Sequence, residues 1–126
     1  MAHPPHSPGF LALVKDAKSR VREFTIEEYR ARLARGEAWV LIDTREDHEW
    51  EAGHLPDAIH ISKGIIEREI ERAFPDQATP LVLQCGGGFR SALAADNLQK
   101  MGYTNVVSLD GGYTGWVQRG LPVEKG

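Results

Sequence analysis

Four short apolar runs alternate with amphipathic helical segments in this chain, and this alternation restricts the fold more than any other feature of the sequence. The runs comprise residues 39–42, 58–61, 80–84 and 106–109. Short apolar runs separated by helical segments are typical of parallel strands that crossover helices bury on both faces. We therefore expect an α/β fold with a small, mainly parallel sheet and helices on both of its faces.

Capping signals and apolar spacing predict the helices between these runs. Thr25 begins a capping-box pattern, Thr-Ile-Glu-Glu, and Gly36 ends the helix that follows. The spacing places Leu33 on the buried face of this helix. Further helices are expected at residues 46–51, 65–74 and 90–101 and around Trp116.

Another helix is predicted near the N-terminus. Ser7 and Pro8 form an N-cap followed by a proline at the first helical position. We expect this helix to pack on the main body, so that residues 1–22 are an N-terminal extension and residues 23–126 are the principal domain. The apolar stripe that would make this contact comprises Phe10, Leu13, Val14, Ala17 and Val21.

The composition argues against several classes of function. At 126 residues the chain has the length of one domain, and its net charge of -3 gives no electrostatic basis for binding nucleic acid. No apolar run has the length needed to cross a bilayer, and residues 1–6 lack the features of a signal peptide. We therefore expect a cytoplasmic protein that binds neither nucleic acid nor membranes.

The chain has a single cysteine, Cys85, at the end of the predicted strand 80–84. Three glycines and then Arg90 follow it, and a helix is predicted from there. A glycine turn can direct backbone N–H groups at an anion, a helix N-terminus carries partial positive charge, and arginine is a permanent cation. Such surroundings stabilise a thiolate, so Cys85 is the expected nucleophile. Since the chain has no second thiol, any sulfur chemistry on Cys85 must be completed by an external molecule.

Metal binding finds little support in the sequence. His48, His54 and His60 are six residues apart, a spacing that fits neither one face of a helix nor the usual zinc patterns. We expect three separate surface or loop histidines, with no metal and no cofactor.

Three groups of residues give the chain a resemblance to a known family. The first group is the loop at 85–90, Cys-Gly-Gly-Gly-Phe-Arg, which fits a C-x-x-G-x-R pattern. The second group precedes it and comprises Asp-Thr-Arg at 43–45, Glu49 and Gly-His-Leu-Pro-Asp-Ala-Ile-His-Ile at 53–61. The third group follows it and comprises Asp-Gly-Gly at 110–112 and Trp116. Together they resemble a rhodanese-like sulfurtransferase domain from about residue 24 to residue 121. The chain departs from the family pattern in two ways: Gly87 makes the loop unusually rich in glycine, and the segment before Phe24 is longer than a minimal domain needs.

This resemblance implies a sulfurtransferase that moves a sulfane sulfur from a small anionic donor such as thiosulfate to a thiol, to cyanide or to a protein acceptor, through a persulfide on Cys85. We expect Arg90 to attract the donor and to hold the loop closed, and Phe89 to be either a loop anchor or a wall of the pocket. The expected substrate-binding residues are Gly86, Gly87, Gly88, Phe89 and Ser91. The expected ion-pair scaffold beside the loop comprises Asp43, Arg45 and Glu49.

Two other functions remain open at this point. A sulfane-sulfur carrier or sensor would hold sulfur on Cys85 for a protein partner with little turnover. A phosphatase or arsenate reductase of related architecture would carry five residues between cysteine and arginine, whereas four separate Cys85 from Arg90 here. Gln84 also stands where the phosphatase signature has histidine. Both details favour sulfur transfer.

Overall fold

The computed structural model describes residues 6–126. Residues 1–5 lie outside this range. They form most of the N-terminal segment 1–6, for which the sequence predicts no signal peptide. Within residues 6–126 the elements are α1 (Pro8–Lys18), β1 (Arg22–Phe24), α2 (Ile26–Ala34), β2 (Val40–Asp43), α3 (Asp47–Ala52), β3 (Ile59–His60), α4 (Ile66–Ala73), β4 (Leu81–Gln84), α5 (Phe89–Lys100), β5 (Val106–Leu109) and α6 (Gly112–Gln118).

The strands form one parallel sheet in the order β1-β5-β4-β2-β3, which confirms the predicted α/β fold. Strand β4 lies at the centre, between β2 and β5. The sequence did not predict β1, because only Phe24 of its three residues is buried and it therefore contains no apolar run. Pairing with β5, in which Phe24 lies opposite Leu109, gives this segment its extended form.

Helices cover both faces of the sheet, as expected. Leu81 and Leu83 of β4 pack into a cluster with residues of α4 and α5, such as Ile70 and Leu98. Val82 faces the opposite side, where its cluster includes residues of α2 and α6. All three strand side chains are fully buried. The period of two along β4 thus divides the core into two layers.

Helix α1 packs against α5 through a narrower stripe than the sequence predicts. Val14 and Ala17 are buried, whereas Leu13 is 57% exposed, so the prediction for Leu13 is wrong. A helix that contacts a single neighbour needs only a narrow apolar strip, and the rest of its surface faces solvent. Leu33, in the last turn of α2, is likewise exposed rather than buried.

Polar contacts add to the attachment of α1. The guanidinium of Arg20, just after the helix, forms an ion pair with Asp96 of α5 at 2.8 Å. The side-chain amide of Gln99 donates to the backbone carbonyl of Arg20 at 3.0 Å. Both contacts join Arg20 to side chains of α5, and they hold the end of α1 against that helix.

The different burial of two adjacent residues predicts different effects of truncation. Val14→Ala should lower the free energy of unfolding by about 1–2 kcal/mol, because it removes two buried methyl groups. Leu13→Ala, in the same helix, should change it by less than about 0.5 kcal/mol. Urea denaturation of the two variants measures both values. Equal effects would show that α1 is not packed in this register.

Candidate active site

Cys85 lies at the carboxyl end of the central strand β4, where ligands bind in parallel α/β sheets. The turn that follows it leads into α5 at Phe89. On the neighbouring strand β2, Asp43 pairs in register with Gln84. The two segments that the sequence singled out, 43–45 and 85–90, therefore meet at one edge of the sheet.

Backbone N–H groups surround the sulfur of Cys85. The N–H of Gly88 donates to Sγ at 3.1 Å, and the N–H of Ser91 donates at 3.4 Å. The hydroxyl of Ser91 lies 3.5 Å from Sγ and 2.8 Å from the hydroxyl of Ser108 in β5. The two N–H groups, at the N-terminus of a 12-residue helix, stabilise negative charge on the sulfur.

Helix α6 holds the outer side of the same loop. The N–H of Tyr113 donates to the carbonyl of Cys85 at 2.8 Å, and the N–H of Thr114 donates to the carbonyl of Gly86 at 2.8 Å. This approach requires glycine at position 112, where φ is +49° and a Cβ atom would overlap the carbonyl oxygen of Cys85. Gly112 therefore permits the contact between α6 and the loop.

The three glycines of the loop differ in how strongly the structure requires glycine at each position. Gly88 has φ of +100° and a Cβ there would come within 3.3 Å of the carbonyl of Leu109. A Cβ on Gly86 would lie 3.1 Å from Nη2 of Arg90, whereas Gly87 has open space around it. The backbone therefore demands glycine most strongly at position 88.

Arg90 is held by Glu49 in a two-point ion pair. Nη1 of Arg90 lies 2.7 Å from one carboxylate oxygen of Glu49, and Nη2 lies 3.2 Å from the other. The hydrogen bond from Arg90 lowers the pKa of Glu49 to about 2, with a smaller contribution from the N–H of Glu46. Glu46 and Glu49 also form a capping box at the start of α3. The ion pair thus ties the loop to the N-terminus of α3.

Arg45 and Asp43 form a second ion pair, which is fully buried. Nη2 of Arg45 lies 2.8 Å from Oδ2 of Asp43 and donates to the carbonyl of Gly53 at 2.6 Å. The guanidinium also lies 4.1 Å from the ring centroid of Tyr113 in α6, within cation–π range. The three expected scaffold residues therefore belong to two separate pairs, Asp43 with Arg45 and Glu49 with Arg90.

A cavity of about 1050 Å³ opens above Cys85. Predicted site residues in its wall are Cys85, Gly86, Gly87, Phe89, Arg90, Arg45 and Glu49. Gly88 and Ser91, which we expected to bind substrate, are buried and contact the sulfur of Cys85 instead of lining the cavity. Asp43 does not line the cavity either; it binds Arg45, which does.

The sequence did not predict several residues of the cavity wall. Tyr113 and Thr114 come from α6, and His48 and Ala52 from α3. His6, Ser7 and Phe10 come from the N-terminal segment and α1, for which we expected only a packing role. The position of Phe10 at the start of the apolar stripe was the one available signal, and it does not distinguish packing from lining a cavity.

His48 is exposed, as expected of a surface histidine, but His54 and His60 are not separate, so the expectation is wrong for these two. His54 is buried and stacks on the indole of Trp50, with ring centroids 3.6 Å apart and planes within 4°. His60 stacks on the same indole at 5.0 Å. Within the part of the chain that the structure describes, no three His, Cys, Asp or Glu side chains are grouped as a metal site would require.

Among residues 6–126, none of the helices combines the length and the apolar character that crossing a membrane requires.

Comparison with known proteins identifies related sequences. The family model of the rhodanese-like domain matches residues 25–119. The thiosulfate sulfurtransferase GlpE of Actinobacillus pleuropneumoniae is 32% identical over 92 residues, which are 73% of this chain and 83% of that protein. A sulfurtransferase of Allochromatium vinosum is 33% identical over 103 residues, 82% of this chain and 94% of that protein. The family match extends from α2 to α6.

A solved structure resembles nearly the whole chain. It is a protein of unknown function from Rhodopseudomonas palustris, described as a possible tyrosine phosphatase. The TM-score is 0.83 at 29% identity, and the superposition covers 98% of this chain and 100% of that one. At this coverage the likeness includes the region of α1.

The contact between Gly112 and the Cys85 loop predicts a large effect of a small substitution. Gly112→Ala should lower the free energy of unfolding by about 2 kcal/mol or more, because it adds both left-handed strain and overlap with a carbonyl oxygen. Gly64→Ala, at a position with open space, should change it by less than about 0.5 kcal/mol. Urea denaturation compares the two variants, and a neutral Gly112→Ala would contradict the close approach of α6.

The ion pair of Glu49 predicts a pH-dependent contribution to stability. Because folding lowers the pKa of Glu49 to about 2, its stabilisation is complete above the ordinary pKa of a glutamate and is lost as the pH falls towards 2. The difference in unfolding free energy between the unsubstituted protein and Glu49→Gln should therefore shrink from pH 6 towards pH 2. Glu51→Gln, an exposed position in α3, is the control. A difference that does not change with pH would contradict the ion pair.

Proposed function

The chain belongs to the rhodanese-like domain family, and we propose that this sulfurtransferase carries the transferred sulfur as a persulfide on Cys85. One observation supports the proposal above all others: Cys85 lines a large cavity, and its sulfur accepts two backbone hydrogen bonds, from Gly88 and Ser91. A thiolate held in this way is a nucleophile that an incoming donor can reach.

The first step loads the sulfur. The thiolate of Cys85 attacks the sulfane sulfur of thiosulfate and forms an S–S bond, while the bond between the two sulfur atoms of thiosulfate breaks. Sulfite leaves with the electron pair of that bond. The cysteine becomes a persulfide anion, and no proton needs to move.

The second step returns the enzyme to its starting state. A thiolate or cyanide attacks the outer sulfur of the persulfide, and the thiolate of Cys85 leaves. Cyanide becomes thiocyanate, whereas a thiol becomes a persulfide. The two substrates react in turn with one covalent intermediate, so double-displacement kinetics are expected.

The loop stabilises both anionic states of Cys85. The N–H groups of Gly88 and Ser91 act on the inner sulfur, and the N-terminus of α5 adds partial positive charge. Gly86, Gly87 and Phe89 border the cavity, and we assign to them the contacts with the outer sulfur and the donor. Sulfur exchange by a thiolate requires no strong general base, so the carboxylates of Asp43 and Glu49 have a structural role.

Arg90 serves mainly to hold the loop closed. Both of its terminal nitrogens bind Glu49, which compensates much of its charge. The hydrogen bond to Glu49 raises the pKa of Arg90 most; burial of the guanidinium opposes this effect, and the negative charge of the Cys85 sulfur raises the pKa further. The guanidinium therefore orients the loop and adds a secondary attraction for an anionic donor.

The substrates follow from the reaction class. A sulfurtransferase takes a sulfur donor and a sulfur acceptor; we propose a small anionic donor and a thiol, cyanide or protein acceptor. Since the chain has one cysteine, an acceptor outside the chain must discharge the persulfide. The cytoplasmic location expected from the sequence stays a prediction.

We also propose residues 23–126 as the rhodanese-like domain, with residues 1–22 as its extension. The family match at residues 25–119 supports this division. Strand β1 spans the boundary, and α1 packs on α5, so the extension and the domain share one core.

The persulfide can be observed directly. Incubation with thiosulfate should add the mass of one sulfur atom to the intact protein, and cyanide should remove it as thiocyanate. In Cys85→Ser both effects should be absent while circular dichroism remains unchanged. Intact-protein mass spectrometry and a thiocyanate assay measure the two steps.

The outcome also separates the other functions. Loading of one sulfur with negligible turnover would favour a carrier or sensor. Hydrolysis of an aryl phosphate or reduction of arsenate that depends on Cys85 would favour the related chemistry. If neither thiosulfate nor an organic persulfide loads the protein, the persulfide mechanism is wrong.

A further inference from the structure

We propose that α1 forms part of the substrate site, and that Phe10 and Phe89 make an aromatic wall that favours donors whose sulfane sulfur is attached to an organic group. The class we assign is the organic thiosulfonates, R–SO2–S⁻, in which R is an aromatic ring. This inference deepens the proposed function and rests on it.

Three rings form the wall at the N-terminus of α1. The ring centroids of Phe10 and Phe89 lie 6.2 Å apart, and the ring of His6 lies 5.2 Å from Phe10 and 5.0 Å from Phe89. All three residues line the cavity that contains Cys85. Tilted rings at these distances leave apolar faces and edges against which another ring can pack.

The wall is held in place by contacts behind it. The ammonium of Lys18 lies 5.1 Å from the ring centroid of Phe89 and forms an ion pair with Glu23 at 3.3 Å. Val14 and Ala17 bury the middle of α1, and the ion pair of Arg20 with Asp96 fixes its end. A wall supported in this way is formed before the substrate binds, which reduces the entropic cost of binding.

The size of the cavity exceeds what an inorganic donor requires. Its volume of about 1050 Å³ is at the upper end of cavities that hold drug-sized organic ligands. Thiosulfate has five heavy atoms and no apolar surface. It therefore leaves the aromatic wall unused, whereas an arenethiosulfonate occupies it.

The charge around the sulfur also gives an inorganic dianion no advantage over an organic monoanion. Each arginine in the cavity wall is paired with a carboxylate, Arg90 with Glu49 and Arg45 with Asp43. The four groups sum to zero charge, so they offer no surplus that would favour the dianion thiosulfate over a monoanion. The apolar wall then contributes the larger part of the discrimination between donors.

Sulfur transfer from such a donor to Cys85 requires no oxidant, reductant or other reactant. The thiolate of Cys85 attacks the terminal sulfur of R–SO2–S⁻, and a new S–S bond forms on the cysteine. The bond from that sulfur to the sulfonyl sulfur breaks, and the sulfinate R–SO2⁻ leaves with its electron pair. Two negative charges are present before and after the step.

The test compares two donors that differ only in the group R. Benzenethiosulfonate and methanethiosulfonate carry the same charge and the same reacting sulfur, with cyanide as the acceptor for both. In double-displacement kinetics kcat/KM for the donor reports the loading step alone. We expect Phe10→Ala to lower the ratio of kcat/KM for benzenethiosulfonate to that for methanethiosulfonate about threefold to tenfold.

Two further variants make the result specific. Leu13→Ala removes a leucine that is 57% exposed on α1 and should leave the ratio unchanged. Phe10→Leu keeps apolar area without a ring and should give an intermediate ratio. Urea midpoints of all variants show whether a change in rate reflects unfolding.

Other outcomes overturn the inference or the proposed function separately. An unchanged ratio in Phe10→Ala, or an equal loss with both donors, would mean that the wall does not contact the substrate. If no donor loads the unsubstituted protein with sulfur and no thiocyanate forms, the proposed persulfide mechanism itself is wrong.

Discussion

The site depends on a constraint of the peptide bond: in a tight loop, N–H groups that converge on one side leave carbonyl groups on the other. Gly88 and Ser91 direct their N–H groups at the sulfur of Cys85. The carbonyls of Cys85 and Gly86 then point away from it and need donors of their own. The first amides of α6 supply them. The loop conformation that directs N–H groups at the sulfur is therefore the same one that presents its carbonyls to α6.

Ion pairs fix the elements that border this loop. Arg90 and Glu49 connect the loop to α3, while Arg45 and Asp43 connect the end of β2 to the turn before β3 through the carbonyl of Gly53. Since each cation near the sulfur has its own carboxylate, oriented amides and a helix terminus provide the local positive potential, rather than a surplus of charged side chains. Such fixed dipoles need no reorganisation when the charge on sulfur moves outward to a persulfide.

Local signals made the parallel sheet and the cysteine loop predictable. The apolar runs at β4 and β5 and the glycines after Cys85 are contiguous in sequence, and each has a direct structural meaning. Strand β1 was missed because its form depends on pairing with β5. Glu49 was expected in the ion-pair scaffold beside the loop, but it lies 41 residues from Arg90, and no local signal showed which arginine it binds. The cavity wall at Phe10 arises from how α1 docks on α5, which an apolar stripe does not specify.

The position of α6 along the chain affects how the surroundings of Cys85 are completed. Within residues 6–126, α6 follows all five strands, so a nascent chain extending only through β5 has Cys85 but lacks the amides that bind the loop carbonyls. In such an intermediate the carbonyls of Cys85 and Gly86 lack these donors, and the glycines allow the loop more conformations. Docking of α6 therefore restricts the loop to the conformation that surrounds the sulfur with N–H groups.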